Sequence, residues 1–86
     1  MHELKTIDPY FSQVWDEQKT FEIRLDDRGF KEGDILWLRE YLSDGTYSGD
    51  SILCTVTYLL SSKEFKGLAE GYVAMGISIL QKKKGE

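Results

Sequence analysis

Two stretches decide what this chain can fold into. In residues 51–60, Ile52, Cys54, Val56, Tyr58 and Leu60 share one side of an extended backbone and two threonines lie on the other. In residues 71–80, Val73, Met75, Ile77 and Ile79 alternate with Ala74, Gly76 and Ser78. A period of two belongs to strands with one covered face. A lone pair of such strands is marginal in water, so further elements must cover it. Residues 35–41 supply a third strand, with Leu36 and Leu38 opposite Trp37, Arg39 and Tyr41. Residues 20–25 supply a fourth, with Phe21, Ile23 and Leu25 on the expected inner face and Thr20, Glu22 and Arg24 outside. Residues 3–7 read as a short fifth.

Turn signals separate these runs every eight to twelve residues, the rhythm of a small β-rich domain. Ser43-Asp44-Gly45-Thr46 marks a hairpin, residues 26–34 form a polar connection with two glycines, and residues 61–67 read as a loop or single helical turn. One helix interrupts the pattern early. Asp8 is its expected N-cap and Pro9 its first residue, where a missing N–H costs nothing. Phe11, Val14 and Trp15 form its apolar stripe, and its expected end is near Glu17. Five strands joined by antiparallel connections and one helix after the first strand predict an α+β, mostly β domain, a small partly closed barrel.

Length and composition narrow the chemistry. Eighty-six residues make one domain, expected over 1–80, with 81–86 as a flexible polar tail. The single cysteine excludes a disulfide framework, and His2 with Cys54 gives no zinc spacing. No metal or cofactor is expected. No apolar run nears the roughly 18 residues of a membrane span, and the first residues carry no signal-peptide pattern. The expectation is a cytoplasmic protein with no membrane partner. Eleven Lys and Arg against 15 Asp and Glu give a net charge of −4, which argues against coating duplex nucleic acid without sequence preference. A polyanion would have to meet a local cluster of cations.

Catalytic constellations are sparse. Cys54 lies on an apolar strand face, where a small core hydrophobe is the simpler reading than a nucleophile paired with His2. No hydroxyl has a histidine base beside it. Gly67, Gly71 and Gly76 match no phosphate-loop spacing. Asp26-Asp27 lacks the alternating carboxylates of a cation loop, and a solvated turn suffices. The informative segment is Lys19-Thr20-Phe21-Glu22-Ile23-Arg24. Its plain reading is a surface ion pair worth at most about 1 kcal/mol. Its functional reading is a glutamate that orients Arg24, leaving Arg24 and Lys19 to meet an anion or a base edge. Trp37, Arg39 and Tyr41 form an aromatic–cation–aromatic line able to stack bases. For Trp37 itself the core, against Phe11 or Trp15, is the favoured place. Lys82–Lys84 reads as a solubilising tail.

These residues carry a resemblance. The order strand, Pro9-Tyr10-Phe11 helix, Lys19-Thr20-Phe21-Glu22-Ile23-Arg24, then Phe30-x-x-Gly33-Asp34 and a hydrophobic strand is similar to an ASCH domain of the PUA-like superfamily, whose signature is G-x-K-x-x-E-x-R ahead of a G-D-x-hydrophobic strand. It resembles most closely the small bacterial and phage ASCH-like branch of unknown function, through Asp26-Asp27-Arg28-Gly29-Phe30, the run from Gly33 to Tyr41, Tyr47-Ser48-Gly49 and Gly71-Tyr72-Val73. The similarity spans residues 2–80. It implies a five- or six-stranded PUA-like β-barrel whose flanking cleft binds RNA or a modified nucleobase. Carried over by position, the cleft residues are Lys19, Glu22 and Arg24, with Arg28 and Arg39 matching the branch pattern only.

Three departures bear on that cleft. Glu17 stands at the signature's Gly, which should alter the turn and add negative charge to the cleft mouth. Asp26 replaces the usual Asn, and Leu25 a common Lys. Some ASCH-like proteins are amidohydrolases acting on acetylated cytidine through a Lys and a Thr three residues on; here that second position is Glu22, so this activity is disfavoured. The expected function is RNA or nucleotide binding without catalysis, by Lys19, Glu22, Arg24, Arg28 and Arg39, with Trp37 and Tyr41 as stacking candidates. The alternative of another class is a protein-interaction or regulatory module of phage origin that contacts no nucleic acid; an exposed Trp37 would speak for it or for a stacking role. Oligomeric state is not legible from the sequence.

Overall fold

The structure, a computed structural model, describes residues 1–85. Elements follow in the order β1 (His2–Thr6), α1 (Tyr10–Trp15), β2 (Phe21–Leu25), β3 (Ile35–Tyr41), β4 (Tyr47–Ser61) and β5 (Tyr72–Lys83). The five strands form one curled sheet, a half-barrel, in the order β1-β3-β4-β5-β2. All neighbours are antiparallel except β1 and β3, which run parallel. The two strands flanking α1 in sequence are therefore the two edges of the sheet.

The concave side holds the core. Leu36 and Leu38 from β3, Ile52, Cys54 and Val56 from β4, and Val73 and Met75 from β5 are buried there. Phe11 and Val14 of α1 close one side and Phe30 of the 26–34 connection another. Six residues are too few for a helix to persist alone. Asp8 holds this one, its Oδ1 accepting from the Ser12 backbone N–H at 3.0 Å and from the Ser12 hydroxyl at 2.8 Å. These bonds keep the Asp8 carboxyl below its ordinary range. Asp8 thus caps the helix one residue farther out than the sequence predicts, with Pro9 at the cap position.

The 26–34 connection is built on one oxygen. Asp26 Oδ1 accepts the backbone N–H groups of Arg28 (3.3 Å), Gly29 (2.8 Å) and Phe30 (3.1 Å), which turns the chain so that Phe30 enters the core. Burial pushes the Asp26 carboxyl up, but those three donors and nearby His2 outweigh it and hold the group low. One accepting oxygen is all the turn needs, so the Asp/Asn exchange at this position is structurally mild.

Four expectations are corrected. The faces of β2 are inverted: Glu22 is 2% exposed, whereas Phe21, Ile23 and Leu25 are 45%, 49% and 51% exposed. The register requires it, because Glu22 and Arg24 lie opposite Met75 and Val73, which face inward. In β4 the inward series ends at Val56. Thr57 is an extra residue in the ladder, so Tyr58 turns outward and Leu59 packs on the core instead. Gly76 sits against this bulge, where a Cβ would come within 2.9 Å of the Thr57 hydroxyl. Trp37 lies on the outer face, half-buried, between the inward Leu36 and Leu38. Finally, Gln81, Lys82 and Lys83 belong to β5 and pair with Leu53, Ile52 and Ser51 rather than forming a tail, while Glu86 lies outside the described residues.

The inversion and the bulge leave an uncharged outer surface. Cross-strand rows of Tyr58, Gly76 and Phe21, of Leu60, Ala74 and Ile23, and of Tyr72 and Leu25 run over β4, β5 and β2.

Two predictions follow from backbone geometry. Glu17 has φ 61°, a conformation costing an L side chain about 1–2 kcal/mol, against which glycine's looser unfolded chain offsets about 0.4–1 kcal/mol. Glu17→Gly should raise stability by up to about 1 kcal/mol, seen as a higher urea midpoint. Asp26→Asn should lie within about 1 kcal/mol of wild type at pH 7, and Asp26→Ala should lose about 1–2 kcal/mol. Because the folded-state pKa of Asp26 is depressed, its contribution is full above the ordinary carboxylate value and fades as pH falls through the folded one. Asp26→Asn should therefore lose stability less steeply below about pH 4 in acid titrations.

Candidate functional site

The half-barrel leaves a slot between its two edges. Thr20 C=O accepts from the Ile77 N–H and the Asp26 N–H donates to Gly71 C=O, so the even-numbered residues of β2 bond to β5. The alternation of an antiparallel ladder then turns the main-chain groups of Phe21, Ile23 and Leu25 toward the free edge. Among the described residues no strand pairs with that edge, or with the far edge of β1.

Side chains supply the missing bonds. Arg24 Nη1 donates to Lys5 C=O (3.1 Å), its Nη2 to Thr6 Oγ1 (3.1 Å) and its Nε to Glu22 Oε1 (2.9 Å). Arg28 Nη1 donates to Glu3 C=O at 2.7 Å. Lys19 Nζ donates to Phe21 C=O and to Glu22 Oε2, both at 2.6 Å. Arginine suits this task because its rigid fork serves three acceptors on two strands at once. Glu22 is the hub: its carboxylate is buried, with each oxygen held by a different cation.

Above this stitching the slot widens into a cleft of about 830 Å³, within the range of small-molecule pockets. One wall is Lys5, Thr6 and Ile7, the other Phe21 to Arg24; α1 contributes Tyr10 and Gln13, and the connection Gln18 and Lys19. Three cations meet one carboxylate here, on a chain of net charge −4. The Lys19 ammonium lies 5.0 Å from the Phe21 ring centroid and 5.9 Å from that of Tyr10, and both rings are about half exposed. A charged floor, aromatic flanks and two amides thus share one concave surface.

Of the sequence-predicted residues, Lys19, Glu22 and Arg24 come together. Arg28, Arg39, Trp37 and Tyr41 do not line the cleft. Arg28 is taken up by Glu3 C=O and by Asp27 at 3.5 Å. Arg39 binds Glu3 Oε2 at 2.7 Å and lies over the Trp37 and Tyr47 rings. Tyr41 packs edge-on to Tyr47, with Lys5 4.7 Å from its ring centroid. Of the departures, Glu17 pairs with Lys82 at 3.4 Å, and neither Glu17 nor Leu25 lines the cleft. Sequence reasoning missed Lys5, Thr6, Tyr10, Gln13 and Gln18, because only the strand order shows that β1 faces β2.

Nucleophiles are poorly placed. Cys54 is fully buried and burial pushes its thiol up to about 12, with the Glu22 charge adding to the effect. Thr20 does not line the cleft, and the Thr6 hydroxyl is engaged by Arg24. Among the described residues no three His, Cys, Asp or Glu side chains gather as a metal site, and no helix is long and apolar enough to cross a membrane.

A family model described as Domain of unknown function (DUF3850) matches residues 1–77, from β1 into β5. No curated protein matches the chain.

The stitching makes a direct prediction. Arg24→Ala leaves Glu22 half-paired and two β1 acceptors open, and should lose about 3–5 kcal/mol in urea unfolding. Arg24→Lys should recover only part of this, since a point charge cannot serve three acceptors. The exposed Arg28→Lys should change stability by about 1 kcal/mol or less.

Proposed function

Because the chain belongs to this DUF3850 family, a domain of unknown function, we propose from the cleft itself that the protein is an ASCH-like binder of RNA or nucleotide. The observation that carries the reading is the Lys19–Glu22–Arg24 set on the cleft floor. Glu22 fixes both cations, and each retains N–H donors beyond those its protein partners use. A phosphate or a base carbonyl completes those donors. Phe21 and Tyr10 flank Lys19 and offer ring faces for a nucleobase, while Gln13 and Gln18 offer amides for its edge. Lys5 takes the part the sequence reading gave to Arg28 and Arg39.

Binding without turnover is the form of this reading that the side chains favour. Both Glu22 oxygens are occupied and Cys54 is buried as a thiol, which leaves no ready general base or nucleophile for an amidohydrolase. A cytoplasmic location fits the unpaired Cys54. A second reading, a protein-interaction module, draws on the uncharged rows over β4, β5 and β2.

Titration of the isotope-labelled protein with adenosine, AMP and inorganic phosphate tests the first reading. AMP should shift the amide resonances of Tyr10, Gln13, Phe21 and Ile23 and bind more tightly than either fragment. Phe21→Ala should weaken AMP by about fivefold or more, the worth of one stacked base. Silent cleft amides at millimolar AMP would falsify the reading and favour the interaction module.

A further inference from the structure

We propose that a second nucleotide subsite lies beside the cleft, so that the ligand is a single-stranded oligonucleotide running from the cleft over Lys5 to Trp37. This rests on the cleft reading and extends it. Lys5 joins the two places, because it lines the cleft and its ammonium also lies 4.7 Å from the Tyr41 ring centroid on the outer face.

The register shows where that face leads. Lys5 is beside Arg39, which is beside Ser51, which is beside Lys83; one row along, Glu3, Trp37, Leu53 and Gln81 follow in the same strand order. Between these rows is a second hollow of about 330 Å³, floored by Trp37 and Leu53 and edged by Lys83 and Gln81. Trp37 is only half-buried, so part of its ring system remains for stacking. Lys83 is exposed and stands at the hollow's lip.

Beyond the cleft, the Glu3 carboxylate on the path is already answered, since Arg39 holds it at 2.7 Å. Arg39 in turn lies 3.8 Å from the Tyr47 ring centroid and 4.7 Å from that of Trp37, which fixes the aromatic surface in place. Strand geometry puts Lys5 and Trp37 about 8 Å apart at the backbone, two residues along and one strand over. Adjacent nucleotides of an extended strand bridge such a distance. An aromatic ring and spaced cations on a sheet face form the sequence-tolerant platform that single strands use. A duplex, with its bases stacked internally, cannot offer a base face to Trp37.

The test compares AMP with a five-nucleotide oligoadenylate by NMR and by anisotropy, reading the indole N–H resonances of Trp15 and Trp37 separately. AMP should move cleft amides only. The oligonucleotide should also move the Trp37 indole and the Gln81 and Lys83 amides, and bind about tenfold more tightly. Trp37→Ala and Lys83→Gln, separately, should remove most of that gain and leave AMP affinity unchanged. A deoxy oligoadenylate shows whether the 2′-hydroxyl contributes to the gain. A responsive cleft with a still Trp37 indole and no length gain overturns the subsite and leaves the cleft reading standing. A responsive Trp37 hollow with a silent cleft overturns the cleft reading and, with it, the path from the cleft to Trp37. Silence at both sites overturns both.

Discussion

The whole structure turns on a sheet that curls but does not close. A five-stranded half-barrel has two free edges, and here they are β1 and β2, facing each other across a slot. Free edges present unpaired main-chain groups that must be satisfied or guarded. This chain satisfies some of them with side chains: two arginines and a lysine donate to the carbonyls of Glu3, Lys5 and Phe21. Guanidinium groups thus stand in for a missing strand. That choice draws charge into the barrel wall, and charge in the wall requires Glu22 at its centre.

From this follows the inverted polarity of β2. A buried carboxylate is tolerable only when paired and hydrogen-bonded, and the slot is the one place where Lys19 and Arg24 reach it together. Once Glu22 and Arg24 face inward, strict alternation sends Phe21, Ile23 and Leu25 outward. The same residues therefore hold the fold and shape the cleft. Lys19 and Arg24 contribute to both, so their substitution would mix loss of the proposed binding with loss of stability. The side chains of Phe21 and Lys5 touch the cleft without holding it shut, and their substitution separates the two effects.

How much of this the sequence showed depends on what each pattern encodes. Residues 35–41 were legible to the residue, and so was the inward series of β5, because one-sided alternation in a central strand has one satisfactory orientation. In β2 the same alternation pointed the wrong way. Period two shows that two faces exist; it does not show which is covered when the polar face has its own partners. The extra Thr57 is equally silent, since a bulge changes phase without changing composition. Trp37 looked like core because tryptophan usually is, but its neighbours Leu36 and Leu38 already occupied the inner positions. At the cleft, the Lys19–Glu22–Arg24 spacing was readable because the three are local in sequence. Lys5, Tyr10 and Gln13 were not, because the edge-to-edge approach of β1 and β2 is a property of strand order alone.

Strand order also reconciles a net charge of −4 with the anionic ligand we propose. Surface charges more than a Debye length apart, about 8 Å at physiological ionic strength, are largely screened from one another. A ligand in the slot therefore responds to the groups around it, Lys5, Lys19 and Arg24 against Glu22, and little to carboxylates on the far side of the barrel. The outer face repeats this separation. Arg39 and Lys83 accompany the aromatic rings over β3, β4 and the end of β5, whereas the rows of Tyr58, Leu60 and Tyr72 across β4, β5 and β2 carry no charge at all. Acidic residues elsewhere discourage broad contact with a polyanion, and Lys5, Lys19, Arg24, Arg39 and Lys83 follow the proposed path. On the proposed reading, such an arrangement favours a ligand narrow enough to follow that path, and a single strand is narrower than a duplex.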